Sequence, residues 1–203
     1  MTYTMQIIER ESGTEVTIMP GEYYATNRNA RIRTLLGSCV AACLFDSESG
    51  VIGMNHFLLS NRRYAKNLPV CLSEAGRYGI HAMELLINEM LQNGARRGNL
   101  RAKAFGGGTM YRVSATQDNY FCVGDVNVRF IREFLKNEDI PLIAEDLGGE
   151  TLRVVHFMPE DYSVHVKRVR TKSASTIIQE ERQFWKESIE AQENSKPQVY
   201  LWE

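Results

Sequence analysis

The chain has no Cys-x-x-Cys pair and no cluster of cysteine with histidine, although it holds 4 cysteines (Cys39, Cys43, Cys71 and Cys122) and 4 histidines. That spacing argues against a zinc site. No uninterrupted apolar stretch is long enough to span a bilayer. The first residues, MTYTMQIIERESG, lack the basic start and apolar centre of a secretory signal. The cysteines are therefore expected to be reduced thiols in a cytoplasm. Charge of one sign is also missing: 24 Lys and Arg face 25 Asp and Glu, so neither nucleic acid nor an anionic membrane is expected as a partner. There is no internal repeat and no low-complexity tract. The glycine run FGGGTM fits neither GxxxxGK[ST] nor a GxGxxG opening a helix, which speaks against a nucleotide site. Those glycines are expected to let backbone approach backbone, or a substrate chain, closely.

What is present is a chain of 203 residues, enough for one domain with a sizeable core. MPGEYYATN carries turn chemistry at Pro20–Gly21, Asn27 and Asn29. Residues 32–36 lead into Gly37, and 39–45 form an apolar run that reads as a strand buried on both faces. DSESG is a polar turn, and 51–59 is a second strand, so the two make a β-hairpin. Residues 73–93 read as a helix with Met83, Leu86, Ile87, Met90 and Leu91 on one apolar face, Ser73 as N-cap and Gly94 as the stop. A strand at 100–105, a shorter helix at 126–137, and strands in PLIAED, LRVVHF and YSVHVKRV complete the core. Strands first, helices in the middle and strands to the end predict an α+β layered domain. Beyond Val169 the chain turns strongly charged, with Ile177, Ile178, Phe184, Trp185 and Ile189 at roughly helical spacing. The expected division is a domain at 1–170 and an amphipathic helix and tail at 171–203.

Two residues invite a chemical reading. Cysteine is among the most buried residue types, and a buried one is usually inert. Cys43 sits mid-run and fits that description, while Cys71 and Cys122 have no positional case. Cys39 differs because it follows Gly37–Ser38 at a strand start, where amides around the turn could face a developing oxyanion. His56 flanks the hairpin turn at a distance similar to that of Cys39, so pairing would bring the two roughly opposite one another. A thiol beside an imidazole can ionise as thiolate–imidazolium and become a nucleophile. The alternative is a half-buried strand histidine satisfied by a carbonyl, and the pattern alone leaves both readings open. His81, His156 and His165 are weaker partners for Cys39.

The segments PGEYYATN, TLLGSCVAACLFD, GMNHFLLS, RYGIHAMELLINEM, AKAFGGGTM and EDLGG occur in that order. Together they resemble the CheD family of chemoreceptor glutamine deamidases, from about Pro20 to about Val169. The resemblance implies a three-layer α/β/β sandwich similar to the catalytic domain of cytotoxic necrotizing factor toxins. It implies hydrolysis of glutamine side chains on methyl-accepting chemotaxis receptors to glutamate and ammonia, without metal or cofactor. A CheC-type phosphatase is an implied partner in organisms that have one. It assigns Cys39 as nucleophile and His56 as base. The family's third member is a threonine six positions before the cysteine, which here is Arg33. Thr34 follows one residue later, on the opposite face of a regular strand, so either the backbone is irregular there and Thr34 takes the orienting role, or that role is filled otherwise, or the third group is dispensable. Leu152 and EDYSV depart from the family pattern late in the chain. A different class of reading is a binding module for receptors or a phosphatase with little turnover, and a third is a cysteine amidase or transglutaminase-type enzyme acting on another protein.

Overall fold

The computed structural model describes residues 5–10, 13–59, 71, 74–109, 123–169 and 183. Among them the chain forms strands β1 (Gln6–Arg10), β2 (Gly13–Thr17), β3 (Tyr23–Thr26), β4 (Ala30–Leu36), β5 (Val40–Asp46), β6 (Val51–Asn55), β7 (Arg101–Gly106), β8 (Leu142–Leu147), β9 (Leu152–Phe157) and β10 (Val164–Val169). Two α-helices, α1 (Glu74–Gln92) and α2 (Val123–Asn137), flank β7 in the sequence. The fold is mixed α+β, with two five-stranded sheets of order β1-β2-β4-β9-β10 and β3-β6-β5-β7-β8. Two of the pairings are parallel, β2 with β4 and β7 with β8.

Two apolar clusters explain the arrangement, which is compatible with a sandwich. In one, Val40, Ala42 and Leu44 of β5 meet Met83, Leu86, Ile87 and Met90 of α1 and Val126, Phe130 and Phe134 of α2. In the other, Cys39, Ala41, Cys43 and Phe45 meet Ile32 and Leu36 of β4 and Val155 and Phe157 of β9. Strand β5 is therefore covered on both faces and is buried at every position, as its unbroken apolar run predicts. Strand β4 alternates instead, with Ile32, Thr34 and Leu36 inward and Arg31, Arg33 and Leu35 outward.

Helix α1 stops where glycine predicts. Gly94 takes φ +103°, its amide bonds the Leu91 carbonyl, and the Ala95 amide bonds the Met90 carbonyl, each at 3.0 Å. This double closure is the Schellman pattern. One member of the expected apolar face is corrected: Leu91 is 36% exposed and lies outside the core. The first three strands were not foreseen from the sequence. The N-cap Ser73, Cys122 and the expected helix at 177–193 lie outside the described residues. Among those residues, no helix is long and apolar enough to cross a membrane.

Candidate active site

Cys39 sits between the Gly37–Ser38 bend and the start of β5. The glycine run after β7 grips this corner from one side: the Gly107 amide bonds the Cys39 carbonyl and the Gly108 amide bonds the Gly37 carbonyl, both at 2.7 Å. At Gly106 (φ +107°) an added Cβ would overlap the Cys39 carbonyl oxygen. The close backbone approach expected of these glycines is thus present, and it acts on the corner that carries Cys39.

The hairpin register refines the relation of Cys39 to His56. Strands β5 and β6 pair from Cys43↔Met54 to Asp46↔Val51, and an isolated bridge Val40↔Phe57 continues the same register. His56 is therefore across from Ala41, and Cys39 is its diagonal neighbour on the same face, rather than directly opposite. Side chains two rows apart on one face remain within reach. That face is the inter-sheet side, where Met54 and Leu58 also lie.

His56 is held from both ends. Its amide bonds the Glu22 carbonyl at 2.9 Å and its carbonyl accepts the Gly21 amide at 2.7 Å. The turn that supplies those groups is itself braced, because the Glu22 carboxylate accepts the amides of Met19 and Met5 at 2.8 Å each. Its ring meets Thr34, which faces inward from β4 and is 1% exposed: His56 Nδ1 and Thr34 Oγ1 are 2.8 Å apart. Thr34 Oγ1 also donates to the Ile18 carbonyl at 2.8 Å. A hydroxyl has one hydrogen, so with that hydrogen on the Ile18 carbonyl the His56 contact runs from Nδ1–H to Oγ1. The protonated nitrogen is then Nδ1, and Nε2, buried and without a hydrogen-bond partner among the described residues, carries the lone pair. Such an arrangement can accept a proton at Nε2. Burial depresses His56 from 6.5 to about 3, with the Ile18 carbonyl opposing it. That shift favours the uncharged ring, because a buried site charges an imidazole at high cost.

Cys39 is 0% exposed and His56 1%. Tyr78 of α1 is half-buried near Cys39; burial raises its phenol, and the cysteine charge raises it further. The other candidates separate cleanly. Cys43 is fully buried and its thiol is pushed far up by burial, in keeping with a packing role. Cys71 is partly buried and also raised by burial. His156 and His165 pair with each other across β9 and β10, and Arg33 pairs with His156 across β4 and β9. All three lie on the outer side of their sheet, away from Thr34. His81 is exposed on α1. Among the described residues, no group of three or more His, Cys, Asp and Glu could hold a metal ion.

Sequence reasoning missed Asn127 and Glu22. Asn127, 0% exposed on α2, donates from Nδ2 to the Ser38 carbonyl at 2.8 Å and accepts the Leu59 amide at Oδ1 at 2.9 Å. The signal available was a polar residue on an apolar helical face, between Val123 and Phe130 at the spacings where neighbours are buried.

The profile of the CheD family, described as chemotactic sensory transduction, matches residues 61–168. A Geobacter sulfurreducens protein named probable chemoreceptor glutamine deamidase CheD 1 is 54% identical over 187 residues, covering 92% of this chain and 93% of its own. A Shewanella oneidensis protein named probable chemoreceptor glutamine deamidase CheD 2 is 44% identical over 194 residues, covering 93% and 95%. A Methylobacillus flagellatus protein named probable chemoreceptor glutamine deamidase CheD is 46% identical over 170 residues, covering 83% and 81%.

Proposed function

This chain belongs to the CheD family, and from that premise we propose that it is a chemoreceptor glutamine deamidase. It hydrolyses particular glutamine side chains on methyl-accepting chemotaxis receptors to glutamate and releases ammonia, using Cys39, His56 and Thr34 and no metal or cofactor. The observation that carries the residue assignment is the Thr34–His56 contact, which leaves a lone pair at Nε2 on the same face as Cys39.

In this reading His56 Nε2 takes the Cys39 thiol proton as sulfur attacks the carboxamide carbon. Because the ring rests neutral, deprotonation accompanies attack. Backbone amides at the Gly37–Cys39 corner hold the oxyanion, each typically worth about 10²–10³-fold in rate. Nε2–H then protonates the departing nitrogen, ammonia leaves, and a thioester remains. Water gives a proton to Nε2 and attacks the thioester, and the thiol recovers its proton as glutamate is released. Thr34 keeps Nδ1 protonated throughout and so fixes the tautomer. Cys39 and His56 are covered, so a glutamine reaches them only once that cover moves aside.

The same reading includes the α/β/β layer order with its likeness to cytotoxic necrotizing factor catalytic domains. It also includes action in the cytoplasm on the inner part of receptors, a CheC-type phosphatase partner, and the division into 1–170 and a tail at 171–203. The complete burial of Cys39 favours a second reading, a binding module for chemoreceptors or such a phosphatase. Mass spectrometry of receptor peptides separates the two. The deamidase converts glutamine to glutamate and releases ammonia, and Cys39→Ala and His56→Ala each abolish this while remaining folded. Full activity in either variant overturns the assignment; receptor capture that persists in Cys39→Ala, with no mass change from the wild type, establishes the binding module.

A further inference from the structure

The turn between β8 and β9 holds the glycine run much as the glycine run holds the Cys39 corner. Gly148 gives its amide to the Gly106 carbonyl at 2.8 Å, and the Gly149 carbonyl accepts the Thr109 amide at 2.7 Å. The two residues between, Gly107 and Gly108, are those whose amides bond the Cys39 and Gly37 carbonyls. The run is thus tied to the turn at both ends and to the Cys39 backbone at its middle. An added Cβ at Gly108 would lie 3.0 Å from the Gly37 carbonyl oxygen and 3.3 Å from that of Thr151, so corner and turn close on it together. The turn has little stiffness of its own. Gly148 and Gly149 both take φ +76°, and glycine is the residue freest to leave any one conformation. One side chain gathers them. Arg153 of β9 is 3% exposed. One terminal nitrogen of its guanidinium donates to the Gly148 carbonyl at 2.7 Å and to the Asp146 carboxylate at 2.9 Å, and the other donates to the Thr151 carbonyl at 3.1 Å.

We infer that Arg153 is a positioning residue for the Cys39 sulfur, acting through the 146–151 turn and the glycine run; the inference rests on the reading of Cys39 as the nucleophile of a deamidase. A guanidinium is a rigid planar fork, so it fixes its acceptors relative to one another. Without it the Gly148 and Thr151 carbonyls lose their common donor and must turn to find others. Rotation at either glycine then shifts the Gly148 amide and the Gly149 carbonyl, the two groups that hold the ends of the run. The run carries that shift to the Cys39 carbonyl through the Gly107 amide. His56 does not follow, because it is held separately, by Glu22 and Gly21 through its backbone and by Thr34 through its ring. The separation of sulfur and imidazole is therefore what Arg153 sets, and a misplacement of about 1 Å between reacting groups can cost about 10²-fold in rate. Arg168 provides the contrast. It bonds the other oxygen of the same Asp146 carboxylate, at 3.1 Å, from the exposed side.

The test is Arg153→Lys, which keeps a positive charge for Asp146 and removes the fork that joins the two carbonyls. Arg168→Gln is its companion, since it removes an Asp146 ion pair and leaves the fork in place. Steady-state ammonia release is measured on a glutamine-bearing cytoplasmic fragment of a chemoreceptor, at a temperature where circular dichroism shows every protein fully folded. Urea midpoints are read beside it. The expected result for Arg153→Lys is a fall in kcat of about 10- to 100-fold with KM within about twofold of wild type. Arg168→Gln is expected to stay within about twofold of wild type in both constants, whatever its urea midpoint. A merely structural role would lower the urea midpoint of Arg153→Lys and leave kcat of the folded protein unchanged. That outcome, a loss carried by KM, or an equal loss of kcat in Arg168→Gln overturns the inference. If Arg153→Lys does not fold, Arg153→Gln, which has no charge to bury, is read the same way with the same overturning outcomes. A wild type that releases no ammonia sinks the deamidase reading and this inference together. A wild type that turns over beside an equally active Arg153 variant sinks this inference alone.

Discussion

The Thr34 hydroxyl has one hydrogen and two neighbours able to take it, the Ile18 carbonyl and His56 Nδ1, each at 2.8 Å. Giving it to the carbonyl satisfies both contacts, while giving it to the ring leaves the carbonyl short. Thr34→Val keeps the shape and removes that choice. With Nδ1 no longer anchored, the ring can take the other tautomer or turn. A lost buried hydrogen bond of roughly 1–2 kcal/mol corresponds to a fall of about tenfold in turnover. Arg33→Thr adds a hydroxyl on the outer face and is expected to leave turnover unchanged. Steady-state kinetics on both variants decide it: loss at position 33 and none at 34 would exchange the roles. The motif counted from Cys39 pointed at Arg33; the inward–outward alternation of β4 puts Thr34 against His56. Cys39 and His56 stood out in the sequence because an apolar hairpin carries both; Thr34 stood one place from the position the motif counts to, which a regular strand turns to the other face, and only the fold sets its hydroxyl against His56. Asn127 did not stand out, since its two partners stand 89 and 68 residues away in sequence.

At the scale of elements, the glycine run is a clamp and not a flexible joint. Gly106 has φ +107°, and its added Cβ would strike a backbone oxygen, which cannot swing aside as a side chain can. Gly106→Ala is therefore expected to cost about 3 kcal/mol or more and to displace the Cys39 corner. Gly94 offers the contrast, because φ is +103° but nothing lies within 4 Å of an added Cβ. Gly94→Ala carries only the left-handed penalty, about 1–2 kcal/mol. Urea unfolding of both variants tests the difference, and equal losses would show that the steric term is absent. The central hairpin, both helices and the last three strands were legible because their apolar patterns are strong. Strand β1 was not, because all five of its residues are exposed and it has no buried face to leave a pattern.

For the whole molecule, a neutral histidine buried between two sheets couples the candidate site to stability. In the unfolded chain His56 titrates near its ordinary 6.5, and in the fold burial lowers it to about 3. Between those values the unfolded state binds one more proton than the native state, so acidification through that window favours unfolding. One such proton tilts stability by up to about 1.4 kcal/mol per pH unit. The carboxylates act later. Glu145 and Asp146 are held low by their bonds to Arg132 and Arg153, so what they add to stability is lost only as pH falls into the carboxylate range. His156 is also lowered, by burial and by Arg33 and Arg31, so it too favours unfolding as pH falls below 6.5. Substitution separates the two. His56→Gln removes the titrating ring and leaves His156, so its stability should fall less steeply from pH 7 to 5 than that of wild type, whatever its starting value. Urea midpoints at pH 7, 6 and 5 give both slopes. Parallel slopes would mean that His56 is protonated in the fold or reached by water there, and the neutral base at Nε2 would go with it.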